Sequence, residues 1–329
     1  MEVIYIKYIR NTNDIFSHTI NECIRCNKCT KYCDFLTKYK INLYDFCSKP
    51  SLSYSCFLCN KCYNVCPKNL SGKDIAIAHR SNEHKYYLIT NLLKNNYIFK
   101  RLPKKYSEIV LYTGCNYPAF YPKTCASLYR LCSSLGIEII TDCCKKPMYD
   151  NGENIDFHAI EKQYLNKGIS EIICMCPNCY HLFKSNFKNI KITSIYKFLT
   201  DNNLGNSIDE QINIFFPCSD RYNKEIFNDI LPFLSNGYID PFRNINCCGL
   251  GGGARKFEPD LVESNINKIK ELNLKNIYTY CSSCSGIFSS YNLANVNNIL
   301  SKILGINENV SPSYLKNVIN NKFKRSDKH

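Results

Sequence analysis

Regularly spaced cysteines are the feature that most limits what this chain can fold into. The pattern C-x2-C-x2-C-x3-C occurs twice, and the second copy follows the first at an offset of 33 residues at every position. The two copies are Cys23, Cys26, Cys29 and Cys33, and Cys56, Cys59, Cys62 and Cys66. An internal repeat of this kind predicts two equivalent loops, each of which places several thiols around one centre.

The chemistry of these thiols depends on where the protein resides. The sequence shows no basic start followed by a short apolar core, and no apolar run approaches the ~20 residues that span a bilayer. We therefore expect a cytoplasmic protein. In a reducing compartment, 22 cysteines among 329 residues are not a disulfide framework. They are expected to be metal ligands or redox thiols.

The net charge of +14 raises the question of a nucleic-acid partner. We expect none, because the lysines are scattered along the whole chain rather than gathered into one stripe. The densest basic patches are interpreted as a solvated linker and a solvated tail. They consist of Lys100, Arg101, Lys104 and Lys105, and of Lys322, Lys324, Arg325 and Lys328.

The eight cysteines of the short repeat favour iron-sulfur clusters. A 4Fe-4S cubane needs four thiolates, and one loop can supply three of them when the cysteines are two residues apart. Tetrahedral zinc also accepts pairs of C-x2-C and is the alternative. Two regular quartets with no interleaved histidine fit iron-sulfur better.

The spacing resembles that of two-cluster ferredoxins, in which the fourth cysteine of each motif binds the other cluster. This resemblance implies one cubane held by Cys23, Cys26, Cys29 and Cys66, and another held by Cys56, Cys59, Cys62 and Cys33. The second motif ends in Cys66-Pro67, as the pattern prefers, whereas Asp34 follows the first.

A second, longer repeat follows at offsets of 103 to 105 residues. Each half has five cysteines in the order C…CC…C-x2-C, one more than a cubane or a structural zinc can use. The sets are Cys115, Cys143, Cys144, Cys176 and Cys179, and Cys218, Cys247, Cys248, Cys281 and Cys284. Adjacent cysteines can reach two irons of a larger or open cluster.

Alternating strand and helix patterns in this repeat predict an α/β fold with a parallel sheet in each half. Strands are predicted over 109–112, 137–141, 171–174, 212–216 and 277–280, and helices over 123–135, 155–166, 224–234 and 260–272. The cysteines then lie beyond the carboxyl ends of strands, where open α/β sheets hold ligands. The predicted domains are 1–100 with two clusters, 106–205 and 210–305 as the two halves, and 306–329 as a basic tail.

The string from Cys247-Cys248-Gly249 to Gly253 resembles the CCG cysteine-rich domain of the heterodisulfide reductase family. With the short repeat, the resemblance covers nearly the whole chain. It implies two pseudo-symmetric Rossmann-like halves behind a small, mainly α-helical ferredoxin-like domain. It also implies two non-cubane 4Fe-4S clusters, bound by the ten cysteines and facing each other across a substrate disulfide.

Glycines beside the second cysteine pair would let main-chain N–H groups approach cluster sulfurs, and Gly249, Gly251 and Gly252 are the candidates. The first half has Lys145 at the position of Gly249. Whether the main chain of this half comes equally close to cluster sulfurs is therefore left open. A dinucleotide-binding loop is the alternative interpretation of the glycines, but the spacing is not G-x-G-x-x-G.

The resemblance implies one of two functions. The first is an iron-sulfur oxidoreductase subunit in which cubanes pass single electrons to the CCG clusters for reduction of a disulfide. The second is a non-catalytic electron-transfer subunit, similar to those of glycolate oxidase and anaerobic glycerol-3-phosphate dehydrogenase, that links a flavin enzyme to a quinone or a membrane cytochrome. A zinc-organised scaffold is the third class.

Both leading hypotheses require a partner, since nothing here resembles a flavin or NAD site. The partner would be a flavoprotein, a cytochrome b or a hydrogenase-type subunit, which also allows peripheral attachment to the inner face of a membrane. His181, two residues after Cys179, could give a proton to a leaving thiolate, or it could simply pack there. Four cysteines belong to neither repeat: Cys47, Cys125, Cys132 and Cys174. Cys125 and Cys132 fall on one face of a predicted helix and are therefore expected to be buried apolar residues.

Overall fold

The computed structural model describes residues 12–83, 97–293 and 295–323. The predicted tail residues Lys324, Arg325 and Lys328 lie outside this part of the chain. The protein is α/β with parallel sheets, as the sequence predicts. In the described ranges no helix is both long and apolar enough to cross a membrane.

The chain forms two compact units, and each is built from separate stretches of sequence. Among the described residues, the first contains 12–83, 147–155 and 245–268; the second contains 97–146, 156–244, 269–293 and 295–323. The segment after each adjacent cysteine pair therefore belongs to the first unit, and so does the pair Cys247-Cys248.

Short helices make up the regular structure of residues 12–83. They are α1 (Thr12–Glu22), α2 (Lys28–Tyr32), α3 (Asp34–Tyr39), α4 (Leu43–Phe46), a 3-10 helix (Pro50–Ser55), α5 (Lys61–Val65) and α6 (Gly72–Glu83). Helix α4 begins at a capping box, in which Asn42 and Asp45 each accept a hydrogen bond from the other's main-chain N–H. Phe35 and Phe46 pack edge to face at 5.2 Å and fill the core of this segment.

Two later segments complete the first unit. The first carries α9 (Lys146–Asp150), which begins in the second unit, and the second carries a 3-10 turn (Gly251–Gly253), α14 (Ala254–Phe257) and the start of α15 (Pro259–Glu271). Tyr54 contacts both, because its hydroxyl donates to Asn151 Oδ1 at 2.9 Å and its ring stacks on Phe257 at 5.2 Å. Buried Glu258 accepts from Lys38 Nζ at 2.6 Å and from the Tyr39 hydroxyl at 2.7 Å.

The second unit contains a four-stranded parallel sheet in the order β2-β1-β3-β4. The strands are β1 (Ile109–Tyr112), β2 (Glu138–Ile140), β3 (Glu171–Cys174) and β4 (Lys191–Ser194). The helices around them are α7 (Tyr117–Phe120), α8 (Pro122–Ser134), α10 (Phe157–Leu165), α11 (Pro177–Asn186) and α12 (Ile195–Asp201). Strands β1 and β3 coincide with the predicted ranges, because both are runs of buried apolar residues.

The second half of the repeat has shorter strands. They are β5 (Ile212–Asn213), β6 (Tyr238–Ile239), β7 (Ile277–Thr279) and β8 (Val296–Asn298), paired in parallel as β5-β6 and β7-β8. A parallel bridge between Ile214 and Tyr278 joins the two pairs, so the order β6-β5-β7-β8 matches that of the first half. The remaining helices are α13 (Glu225–Ile230), a 3-10 turn (Leu231–Phe233), α16 (Ser282–Ser290), α17 (Ile299–Ile303) and α18 (Tyr314–Phe323).

Gly152 allows the segment 147–155 to pack closely against the main chain of α6. Its φ is +88°, and a Cβ there would lie 2.3 Å from Ser81 N and 2.7 Å from Arg80 C.

We predict that Gly152→Ala lowers the free energy of unfolding by about 2 kcal/mol or more, because it combines backbone strain with overpacking. Gly168→Ala is the matched control, since φ is +79° and no atom lies within 4 Å. Its cost should be about 1 kcal/mol. Equal losses in anaerobic denaturant unfolding would contradict the close packing of Gly152.

Candidate metal centres

The two short cysteine motifs share one backbone conformation. Arg25 and Asn27 in the first motif have φ of 51° and 56°, and Leu58 and Asn60, 33 residues later, have φ of 55° and 61°. Left-handed residues alternating with ordinary ones turn successive N–H groups toward the inside of a loop. Such concavities bind anions, including iron-sulfur clusters. The two motifs are therefore equivalent in backbone conformation as well as in cysteine spacing.

Four cysteines predicted to hold one cubane line a single cleft. Its walls include Cys23, Cys26, Cys29 and Cys66, and its volume is about 310 Å³ including space open to solvent. The first three come from one loop, and Cys66 comes from the end of α5 in the other motif. Cys26 is exposed and Cys29 is buried, so the cleft opens at one side.

The other four cysteines also come together. Burial raises the pKa of the Cys33 thiol well above its ordinary value, and the neighbouring thiols of Cys59, Cys62 and Cys56 add to the effect. Cys33 thus lies beside the three cysteines of the second loop. The Cys29 thiol also adds to the raised pKa of Cys62, which places the two motifs next to each other at their third cysteines.

A helix N-terminus lies against the third cysteine of each motif. The main-chain N–H of Gly72, the first residue of α6, donates to Cys62 Sγ at 3.2 Å. Leu43, the first residue of α4, makes a main-chain hydrogen bond to Cys29 that opposes the effect of burial on its pKa. A Cβ on Gly72 would lie 2.9 Å from Cys62 Sγ. Glycine is therefore required here, a role that the cysteine spacing does not reveal.

These thiols do not form a site for a single ion. Among the described residues, no three Cys, His, Asp or Glu side chains form a group that could hold one metal ion. A 4Fe-4S cluster spreads four irons, and the thiolates that bind them stand around its core rather than at one point. Eight thiols around two loops, with N–H groups turned inward, have the donor set that such clusters need.

The first five-cysteine set is gathered in the second unit. Hydrogen bonds with Cys144 and Cys176, together with burial, raise the pKa of Cys179. Cys176 stands at the N-cap of α11. Gly114, with φ of +68°, lets the chain pass this group, since a Cβ there would lie 3.1 Å from Cys179 Sγ. Cys115, the fifth member of the set, follows Gly114 directly, and Cys143 precedes Cys144.

The second set is divided between the units. Cys281, at the N-cap of α16, has a lowered pKa because the Cys284 thiol and nearby main-chain N–H groups hydrogen-bond to it, although burial and Cys218 oppose the shift. These three cysteines belong to the second unit. Cys247 and Cys248 are buried in the first, where Gly249 N donates to Cys247 Sγ at 3.3 Å.

The remaining predicted residues have clear positions. Cys125 and Cys132 are buried, as predicted, and Cys47 and Cys174 are buried as well. His181 Nε2 lies 2.8 Å from Oδ1 of the fully buried Asp220. Asp220 also accepts from the Tyr280 hydroxyl at 2.6 Å and from two main-chain N–H groups of α13. No periodic pattern in the sequence marks Asp220, although it lies two residues after Cys218.

Lys145 takes the conformation that glycine takes in the other half. Its φ is +68°, and that of Gly249 is +95°. The departure from the CCG sequence therefore leaves the left-handed turn in place. A Cβ on Gly249 would lie 2.6 Å from Val262 Cγ1, so packing as well as φ requires glycine in the second half.

We predict that Lys145→Gly raises the free energy of unfolding by about 1 kcal/mol, because it removes a side chain from a left-handed residue. Lys146→Gly is the matched control. Lys146 begins α9, where glycine should be neutral or destabilising. Chemical denaturation of both variants without oxygen provides the measurement. A Lys145→Gly protein no more stable than the parent would mean that the turn carries no strain.

Comparison with known proteins finds a matching domain family and related iron-sulfur proteins. The family model of the CCG cysteine-rich domain matches the chain twice, at residues 109–184 and 212–289. An uncharacterised iron-sulfur protein of Methanocaldococcus jannaschii is 24% identical over 277 residues, and one of Methanococcus maripaludis is 22% identical over 274. A subunit of the fumarate reductase (CoM/CoB) of Methanothermobacter marburgensis is 25% identical over 277 residues.

Each of these matches covers 70% of this chain. The chain spans only 55 to 56% of the length of these relatives. The family model and the relatives together show that the chain carries the CCG cysteine-rich domain twice and is similar to iron-sulfur proteins.

Proposed function

We propose that the chain is an electron-transfer subunit in which two cubane 4Fe-4S clusters feed non-cubane clusters of the CCG domains. The observation that carries the proposal is the crossed grouping of the short motifs. Cys66 lines the cleft of the first loop, and Cys33 lies beside the thiols of the second. This is the arrangement expected for two neighbouring cubanes that exchange single electrons.

The protein's contribution to the cubanes is mainly electrostatic. A cubane with a 2+ core and four thiolates is a dianion, so its burial requires hydrogen-bond donors. The loops with left-handed Asn27 and Asn60 and the helix start at Gly72 direct main-chain N–H groups to where that charge would lie. Bound clusters would supply one-electron redox chemistry, and these donors would set their potentials.

The CCG sets are proposed to bind two non-cubane clusters at which a disulfide is reduced. Five thiols per set, two of them adjacent, exceed what a cubane uses. The contacts among Cys144, Cys176 and Cys179 place three members of the first set together. Reduction of R–S–S–R takes two electrons and two protons and gives two thiols. His181, positioned by Asp220, is proposed to give one proton to a leaving thiolate.

The second candidate is an electron carrier without a substrate of its own. The name of the Methanothermobacter relative, a subunit of a fumarate reductase, favours a chain that works with a partner enzyme. Exposed apolar residues lie near the first motif and offer a place for such a partner: Ile20, Ile24 and Tyr32. A flavoprotein subunit is the partner that this candidate requires.

Iron content tests the crossed arrangement. We predict about sixteen irons per chain after anaerobic purification, four for each of four clusters. Cys33→Ser should remove the cubane of the second loop and Cys66→Ser that of the first, each with a loss of about four irons. Cys47→Ser is the control, since its sulfur is buried in the same unit but belongs to neither set. A chain that binds zinc, or that loses equal iron in all three variants, would refute the proposal.

An EPR measurement separates the two candidates. For the disulfide reductase, a thiol added to the oxidised protein should produce a new paramagnetic signal, because a substrate sulfur binds iron at a CCG site. Cys179→Ser or Cys284→Ser should alter that signal and leave the cubane signals unchanged. A spectrum that does not respond to thiols favours the electron carrier.

A further inference from the structure

The glycine-rich turn after Cys247-Cys248 packs directly on the second cubane loop. A Cβ on Gly251 would lie 2.6 Å from the carbonyl oxygen of Phe57 and 3.5 Å from Cys247 Sγ. A Cβ on Gly252 would lie 2.9 Å from the carbonyl oxygen of Cys56. The turn is thus in contact with the main chain of a proposed cubane ligand on one side and with a proposed CCG ligand on the other.

This contact is buried and fixed from both ends. Cys56, Phe57 and Leu58 are all less than 9% exposed. Beyond the turn, Phe257 stacks on Tyr54, and Glu258, whose side chain is fully buried, binds Lys38. Lys38 also contacts Asp260 at 2.7 Å. The aromatic contact and the ion pairs hold the glycine turn against the loop.

The segment that follows the first cysteine pair contacts this loop differently. The segment after Cys144 has lysines rather than glycines, and it meets Cys56 through the side chain of Arg80. This buried guanidinium donates to the carbonyl oxygens of Asp150 at 2.8 Å and Cys56 at 3.2 Å. A charged side chain therefore stands between Cys56 and the segment that follows the first cysteine pair.

We propose that Gly251 and Gly252 form the electron conduit into the CCG domains, so that the second CCG site is reduced first. The inference rests on the proposed function and adds the route. One electron leaves the cubane held by Cys56, which is oxidised by one electron, and the site of Cys247 is reduced by one electron. No bond forms or breaks, and no proton moves. Glycine keeps the main chains in contact, and a side chain would separate them.

The test compares two alanine substitutions in the turn. Gly251→Ala introduces a Cβ against Phe57, at a residue whose φ is not in the left-handed region. Gly253→Ala is the matched control, because its φ is +78° but no atom lies within 4 Å. After rapid reduction of the cubanes, freeze-quench EPR follows the appearance of the second CCG signal. We expect Gly251→Ala to slow it at least several-fold and Gly253→Ala to leave it close to the parent rate.

Iron analysis separates failure of the route from failure of the proposed function. If Gly251→Ala retains all its iron and transfers electrons at the parent rate, the proposed route is wrong, but the proposal that the chain binds these clusters is unaffected. If the parent itself lacks the clusters, the proposed function fails first.

A measurement on the unmodified protein covers the case in which Gly251→Ala does not fold. The EPR signal of the cubane bound by Cys56 should relax faster when the second CCG site is paramagnetic, and Cys247→Ser should abolish the effect. Coupling that survives Cys247→Ser would overturn the proposal.

Discussion

For the proposed clusters, burial of negative charge is the constraint on which the rest of the first unit depends. Thiolates in a low-dielectric site need N–H donors close by, and the chain provides them from its own backbone. Two means are used: left-handed residues within each cysteine loop, and a helix whose N-terminus lies against the third cysteine of each motif. Asn27 and Asn60 adopt the left-handed conformation easily, whereas Arg25 and Leu58 do so at a cost of about 1 kcal/mol each. The same cost at equivalent positions indicates that the loop shape is required in both motifs.

The division into units changes how the long repeat should be understood. By sequence, residues 106–205 and 210–305 form two successive halves. In the structure, 147–155 and 245–268 belong with the short cysteine motifs. Each half thus gives the segment after its cysteine pair to the first unit. The pair Cys247-Cys248 lies in the same unit as the short motifs, so the proposed electron transfer between them needs no separate docking step.

The strands and helices that could be predicted are those marked by short-range patterns in the sequence. Strands 109–112 and 171–174 are short apolar runs ended by turn residues, and α8 is limited by Pro122 and Gly136, so sequence alone defines them. The cysteine groups were predicted from spacing, because cluster chemistry restricts it. The strands β5 and β6 are only two residues long, and Asn213 interrupts the apolar pattern there. Asp220 was missed for another reason: its partners come from α11, α13 and Tyr280, which only tertiary structure brings together.

The glycines show most clearly how sequence similarity and physical role can differ. Gly249 and Lys145 occupy matching positions and share a left-handed φ, so the conformation alone does not explain the glycine. What differs is the neighbour: Val262 leaves no room for a side chain at Gly249. The segment after Lys145 has no glycines that correspond to Gly251 and Gly252. Both of these glycines pack against the loop of Cys56. The two halves therefore share a ligand pattern, but their surroundings have diverged, and the second has the closer backbone contact with the short cysteine motifs. Two sites with equal ligands and unequal surroundings would differ in potential and in rate of reduction, which is what a path with a defined order requires.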